Sequence, residues 1–309
     1  MTDKVLVIGA GAIGAFYGGV LAKAGCEVSA VVRSDYDAVA ANGYRIESHL
    51  GDLSWTPAQL VRSAAEYRGP ADYLLVCLKL TAATDPVALI RPALGPKTVI
   101  VFVANGIDVD APVAAAFPDH ELVSGVAYAA VSRESPGVIR HHSQFTRLVL
   151  GRYPGGPSTA AEHLVGLIKK GGSSGAATAD IVDTRWQKSA WNTVLNPISA
   201  LGGGLGGLDI LGSEHTTLFV REAMGEYCAI AAAAGHPQPD DTIDKLIAAT
   251  LKMPNYVSSM GQDQLAGRPM ETEALLGNVV RLARRLSVAA PRLETLYALL
   301  KMAEQRTVA

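Results

Sequence analysis

Residues 4–14 read K-V-L-V-I-G-A-G-A-I-G, from Lys4 to Gly14. Lys4 to Ile8 is a short β-branched run, G-A-G-A-I-G follows at once, and an apolar helical segment then ends near Gly25. The order predicts strand, tight turn, helix. Each glycine has a reason: Gly9 for the turn, Gly11 so that backbone can approach a pyrophosphate, Gly14 for close packing of helix on strand. The pyrophosphate would sit on the helix N-terminus, held by Gly9, Ala10, Gly11, Ala12, Ile13 and Gly14.

Alone, G-x-G-x-x-G is a weak signal, because a chain with 31 glycines generates chance matches. Its context strengthens it. A second strand, Glu27 to Val32, follows at the expected distance, and its end is where a ribose-binding carboxylate would sit in an NAD enzyme. That position carries Arg33 and Ser34. A guanidinium and a hydroxyl suit a 2′-phosphate, so the sequence leans toward NADP. The bland alternative is a loop arginine touching only solvent, and Asp35 keeps NAD open.

Further strands are predicted at Tyr73 to Leu78, Thr98 to Val103 and Leu122 to Tyr128, each nearly all apolar, as strands buried on both faces are. Alternation with helical stretches implies a parallel sheet. Ligands of such sheets bind beyond the carboxyl ends of the strands, where Lys79 and the Asn105-Gly106 pair fall. A weaker pair, Gly137 to Arg140 and Arg147 to Leu150, reads as an antiparallel extension. His141 and His142 are neighbours on it and point to opposite faces, so they cannot share a metal; solvent or local hydrogen bonding is expected for both.

Thr159 to Lys170 reads as a helix, with breaks at 154–157 and 171–175 before the alanine-rich 176–179. The domain boundary falls there, giving domains 1–179 and 180–309. Beyond it the periods are helical, at 184–201, 213–234, 240–252, 271–288 and 291–305. The glycine run 202–207 reads as a short loop without an evident reason for so many glycines.

The first of those helices contains W-Q-K-S-A-W-N-T-V-L-N-P, from Trp186 to Pro197. Lys188, Asn192 and Asn196 recur at helical spacing, so one stripe carries an ammonium and two amides along about 12 Å of helix. An amphipathic surface explains most polar stripes. Asparagine is a poor helix former, however, so two of them favour a pocket lining. In the polar segment Asn255 to Glu273, Ser259 and Glu271 stand out, although capping chemistry explains such pairs as a rule.

The whole chain bounds these readings. At 309 residues two domains are the default. A formal net charge of −2, with no basic cluster, argues against nucleic acid or an anionic membrane as partner, leaving a small molecule. Cys26, Cys77 and Cys228 form no C-x-x-C pair, so neither a disulfide framework nor a metal site is suggested, and a reducing cytoplasm fits. The uncharged stretch Val5 to Ala22 has membrane-span length, but its glycines at 9, 11, 14, 18 and 19 belong to the nucleotide turn and helix. The alanine-rich 228–234 could pack within its domain or against a second copy in a homodimer.

Taken together, G-A-G-A-I-G, Lys79 after a hydrophobic strand, Asn105-Gly106, the Lys188, Asn192, Asn196-Pro197 stripe, and S-S-M-G-Q-D followed by G-R-P-M-E resemble the ketopantoate reductase family. The match runs nearly end to end. The resemblance implies an α/β protein with an N-terminal Rossmann-type dinucleotide-binding domain and an all-α C-terminal domain of the 6-phosphogluconate dehydrogenase kind. It implies NADPH-dependent reduction of a 2-oxo acid, 2-dehydropantoate, to D-pantoate in coenzyme A biosynthesis. Lys188 would be the general acid and Glu271 its assistant. Asn192, Asn196 and Ser259 would hold substrate, Arg33 the 2′-phosphate, and Lys79 and Asn105 would lie between cofactor and substrate.

The chemistry agrees, because a hydride reaching a ketone leaves an alkoxide whose charge an ammonium can neutralise, and burial would depress that lysine's pKa. Three positions depart from the family pattern: Ala104 where glutamine is common, Met270 where threonine is, and Leu276 where asparagine is. They bear on the substrate more than on the reaction. The competing readings are a related reductase of another 2-oxo acid, a 3-hydroxy acid or imine dehydrogenase, and a non-catalytic NADPH sensor.

Overall fold

The computed structural model describes residues 2–307, and the chain divides into two compact units. The first runs to Lys79 and takes in Thr84–Ala104 and Val109–Val182; the second takes in Leu80–Ala83, Asn105–Asp108 and the chain from Asp183 onward.

In chain order the first unit forms β1 (Lys4–Ile8), α1 (Ala12–Lys23), β2 (Glu27–Val31), α2 (Tyr36–Asn42), β3 (Tyr44–Ser48), β4 (Leu53–Trp55), β5 (Leu60–Val61) and β6 (Tyr73–Val76). It continues through α3 (Pro86–Ile90), β7 (Val99–Val103), α4 (Ala111–Ala116), β8 (Leu122–Ser135), β9 (Val138–Arg152), α5 (Thr159–Lys170) and β10 (Gly175–Ala177). One mixed sheet runs β4-β3-β9-β8-β7-β6-β1-β2-β5, with β10 on β9. From β5 to β8 every pairing is parallel, and β8 with β9 is antiparallel.

The apolar strands explain the parallel core. Val5 and Val7 of β1, Leu75 of β6, and Val101 and Val103 of β7 pack with Phe16 and Tyr17 of α1 and Leu164 and Ile168 of α5. The alternate residues Leu6, Ile8, Leu74, Val76, Ile100 and Phe102 are also buried, so both sheet faces are covered. Each such side chain contributes roughly 1.5–3 kcal/mol by leaving water.

The expected weak extension is instead a long hairpin, β8 and β9, with register shifts between Ala129 and Val131 and between Arg133 and Ser135. It also carries β3, paired parallel to β9, and β10, Gly175–Ala177, which begins at the end of the expected break and runs into the alanine-rich segment. His141 is not solvated: it is buried, with Nδ1 3.0 Å from Ser48 Oγ and Nε2 3.3 Å from the Phe145 carbonyl, and burial lowers its pKa. His142 is exposed and lies 2.7 Å from Ser132 Oγ.

The second unit is helical: most of α6 (Ile181–Leu201), then α7 (Gly207–Ile210), α8 (Glu214–Ala233), α9 (Thr242–Lys252), α10 (Ser259–Leu265), α11 (Asn278–Arg285) and α12 (Pro291–Thr307). Val220, Met224, Tyr227 and Ile230 of α8 are buried, as are Val279 and Val280 of α11 and Leu293 and Leu300 of α12. Tyr227 also donates its hydroxyl to the Trp186 carbonyl at 2.7 Å, fixing α8 on the start of α6. The helix expected over 271–288 opens with a π-helical turn, Glu273–Gly277, before α11 begins. Sequence period alone cannot separate those two geometries.

The glycine run after α6 has a steric reason. Gly203 and Gly204 adopt φ of +74° and +89°, and a Cβ on Gly206 would lie 2.0 Å from Asn255 Oδ1. The bare backbone lets Gly206 bridge to Val257. Asp209 accepts from Gly206 N and from Asn255 Nδ2, both at 2.9 Å. The segment leading to Ser259 is thereby clamped to the end of α6. Among the described residues no helix is long and apolar enough to cross a membrane.

Candidate active site

In the first unit the turn between β1 and α1 is shaped by missing side chains. Gly9 has φ +84°, and a Cβ on it would lie 2.7 Å from the Cys77 carbonyl. A Cβ on Gly14 would lie 2.4 Å from the Gly9 carbonyl and 3.0 Å from Val7, so helix and strand meet at glycine distance. Gly11 is different: nothing lies within 4 Å of its would-be Cβ. Its backbone therefore faces open space at the start of α1, whose first turn holds no acidic residue. Ala10, Ala12 and Ile13 complete the turn, and the whole fits a pyrophosphate.

Two neighbours hold this cradle. Tyr44, buried, donates its hydroxyl to the Ala10 carbonyl at 2.9 Å, and Trp55 donates Nε1 to the Ala15 carbonyl at 3.1 Å. The two rings stack with centroids 4.9 Å apart. Beyond β2, Arg33 and Ser34 are exposed, whereas Asp35 is buried. Asp35 accepts from Arg133 Nη1 at 2.6 Å, Ser34 Oγ at 2.8 Å and Gly137 N at 3.2 Å. Lys79 is exposed after β6, and its carbonyl accepts from Thr84 Oγ1 at 2.8 Å.

In the second unit α6 presents Lys188, Asn192 and Asn196 on one stripe. Lys188 is partly buried, and its Nζ donates to Asn105 Oδ1 at 2.6 Å. Its pKa is lowered to about 8, chiefly by desolvation and next by the Arg185 charge, with the Glu271 charge opposing both. Asn192 and Asn196 are buried at 8% and 2% exposure, and Asn196 Oδ1 has no hydrogen-bond partner among the described residues. A buried amide oxygen left unpaired carries a desolvation cost that one donated hydrogen bond would relieve.

The loop residues are tied to this helix. The Gly106 carbonyl accepts from Arg185 Nη1 at 3.3 Å, and the Ile107 carbonyl accepts from Asn278 Nδ2 at 2.7 Å, so the segment bearing Asn105 is held on α6 and α11. Glu271, 6% exposed, accepts from Leu80 N at 2.9 Å. Thr193, between the two asparagines, donates to the Leu275 carbonyl at 3.0 Å, joining α6 to the π-helical turn that follows Glu271. Ser259 is the first residue of α10, and the capping role falls to Ser258, whose Oγ accepts from Gly261 N at 3.1 Å. A Cβ on Gly261 would lie 2.4 Å from Ser199 Oγ, so α10 starts against the end of α6.

Lys188, Asn105, Asn192, Asn196 and Glu271 thus share one unit, while the glycine turn, Arg33 and Lys79 belong to the other. Sequence reasoning missed Arg185, which lies one helical turn before Lys188 and was legible as part of its stripe. It also missed Arg133, whose contacts with Ser34 and Asp35 span 99 and 98 positions and leave no local signal. Of the three departures from the family pattern, Met270 and Leu276 are buried at 4% and 0% exposure, while Ala104 keeps partial exposure.

The chain matches the family model Ketopantoate reductase PanE/ApbA over residues 5–155 and its C-terminal counterpart over residues 180–304. A 2-dehydropantoate 2-reductase from Mesorhizobium japonicum is 30% identical over 320 residues, covering 96% of this chain and 97% of its own. The crystal structure of 2-dehydropantoate 2-reductase from Methylococcus capsulatus is 51% identical, covers 99% of this chain and 98% of its own, and superposes with a TM-score of 0.91. A D-mandelate dehydrogenase solved with NADH and anilino(oxo)acetate, at 17% identity and a TM-score of 0.88 over 99% of this chain and 100% of its own, shares the fold. Matched along both halves by the family's models and end to end by named relatives, the chain belongs to the ketopantoate reductase family and is an oxidoreductase.

Proposed function

We propose that the protein reduces 2-dehydropantoate to D-pantoate with NADPH, in coenzyme A biosynthesis, with Lys188 as general acid. The observation that carries this reading is Lys188 itself, an ammonium whose pKa burial lowers to about 8, aimed by Asn105 and followed on its helix by two buried asparagines. A donor of that pKa is mostly protonated at neutrality while its pKa lies close to it, the range in which proton transfer is most effective.

NADPH, when bound, supplies the hydride. Lys188 holds a proton on Nζ and gives it to the substrate's ketone oxygen, an effect of roughly 10² to 10⁴ in rate. Asn105 Oδ1 fixes the direction of that proton, and the Glu271 charge keeps the ammonium populated against Arg185. Asn196 Oδ1 accepts from the substrate's hydroxyl, and Asn192 and Ser259 donate to its carboxylate. The open backbone at Gly11 receives the pyrophosphate, Arg33 the 2′-phosphate, and Lys79 the region between cofactor and substrate. Three cysteines without disulfide partners suit a reducing cytoplasm.

The test follows NADPH absorbance with purified protein and 2-dehydropantoate, with NADH and a panel of other 2-oxo acids alongside. Turnover of 2-dehydropantoate with a preference for NADPH is expected. The partial exposure of Ala104 favours one second reading, a reductase of a different 2-oxo acid. Turnover of another member of the panel would establish it. Tight NADPH binding with no turnover of any oxo acid would overturn both in favour of a non-catalytic cofactor-binding protein.

A further inference from the structure

The loop after β2 contains more recognition chemistry than Arg33 supplies. At the register shift between Arg133 and Ser135 the β8 strand departs from regular pairing, and such bulges re-aim side chains. Arg133 Nη1 reaches Asp35 Oδ1 at 2.6 Å and donates to Ser34 Oγ at 3.1 Å. Asp35 is 5% exposed and both of its oxygens are engaged, Oδ1 by Arg133 and Ser34 and Oδ2 by Gly137 N. The Arg133 side chain keeps 42% exposure. Arg62, also close to this loop, lies 3.9 Å over the Tyr36 ring and pairs with Asp37 at 2.8 Å, so its charge is matched by the first turn of α2.

We propose that Arg133 is a second recognition residue for the cofactor's 2′-phosphate, acting beside Arg33, and that buried Asp35 is the anchor that holds it there. The assignment rests on the NADPH reading above. A carboxylate that is 5% exposed and already accepts three hydrogen bonds within the protein is turned away from ribose hydroxyls, which removes the usual basis for NAD selection at this position. Two guanidiniums against one carboxylate leave net positive charge beside the Ser34 hydroxyl, a combination suited to three phosphate oxygens. Because Asp35 already fixes Arg133, less side-chain freedom is lost on binding. Tyr44 connects this pair to the glycine turn, since Asp35 and Arg133 both act on its phenol while its hydroxyl holds the Ala10 carbonyl.

Calorimetric titration of the full-length protein with NADPH, NADH and adenosine 2′,5′-bisphosphate tests the assignment without recourse to turnover. Arg133→Ala is expected to weaken NADPH and the bisphosphate by about tenfold or more and NADH by less than about threefold. Losses equal for NADPH and NADH, or no loss, would overturn it. Should Arg133→Ala fail to fold, Arg133→Lys keeps the charge on Asp35 but not the planar fork, and must still lower the NADPH preference; an unchanged preference sinks the idea. A double cycle with Arg33→Ala should show coupling, because both residues grip one group. Wild-type protein that binds NADPH no better than NADH would defeat the NADPH reading and this assignment together. Wild-type preference retained in full by Arg133→Ala would defeat the assignment alone.

Discussion

The proposed cofactor turn of the first unit and the proposed substrate stripe of the second are built from opposite materials. At Gly9, Gly11 and Gly14 the candidate surface is main chain, and what matters is the absence of a Cβ. At Lys188, Asn192 and Asn196 the main chain is ordinary helix and everything depends on side-chain atoms and the charge they carry. A site made of backbone is intolerant of added volume and indifferent to pH. A site made of a desolvated ammonium is the reverse, since its protonation follows the charges around it.

That contrast breaks most visibly at Lys188. Lys188→Ala should lower kcat by about 10² to 10⁴ while leaving the NADPH Kd within about twofold, measured by steady-state assay and titration of the same sample. A loss confined to NADPH affinity would place the lysine with the cofactor instead. Next in size, Gly14→Ala puts a Cβ 2.4 Å from the Gly9 carbonyl. It should abolish measurable NADPH binding and cost about 1–3 kcal/mol in urea unfolding, with the Lys188 side of the protein untouched.

The pH profile sharpens the electrostatic half. With Lys188 as the proposed general acid, its protonated form is the active one, so reduction should decline as pH rises through about 8. Arg185 lowers that pKa and Glu271 raises it. Arg185→Met should therefore move the alkaline limb to higher pH, and Glu271→Gln should move it lower, each by less than the shift burial produces. Movement in the opposite sense for either variant would show that the limb does not belong to Lys188. The smallest effect is a control: Gly225, inside α8 with nothing within 4 Å of its would-be Cβ, should gain roughly 0.5–1 kcal/mol on change to alanine. Equal penalties at Gly14 and Gly225 would mean that the tight approach at the nucleotide turn is not what its glycines provide.

What could be read from the residues follows the same division. β1, the turn and α1 were legible because an apolar run, three glycines and a helical segment lie within one short stretch, and local sequence determines their geometry. The α6 stripe was legible for the same reason, as periodicity within a single helix. Features made by distant partners were not. The three-residue β4 is too short for alternation to stand out, and the Ala-rich β10 gains strand geometry by pairing with β9. The π-helical turn at Glu273–Gly277 has the composition of ordinary helix. Lys188 and Asn105 meet across 83 positions, and Thr193 and Leu275 across 82, so the residues could be nominated singly but their joint geometry could not be read. Within the run 202–207, Gly206 answers to Asn255, 49 positions away, which occupies the volume that a Cβ there would need.

The Tyr44–Trp55 stack carries a consequence for the order of folding. The β1-turn-α1 unit is local, yet the carbonyls of Ala10 and Ala15 that it exposes are held by rings on β3 and β4. β3 in turn pairs with β9, beginning at Arg45 opposite Val138. Contacts so far apart in the chain close late, because the loop entropy they consume is recovered only when the intervening strands are in place. The nucleotide cradle is therefore a late product of the whole first unit, and a nascent chain that has not yet released β9 holds the glycine fingerprint without its finished site.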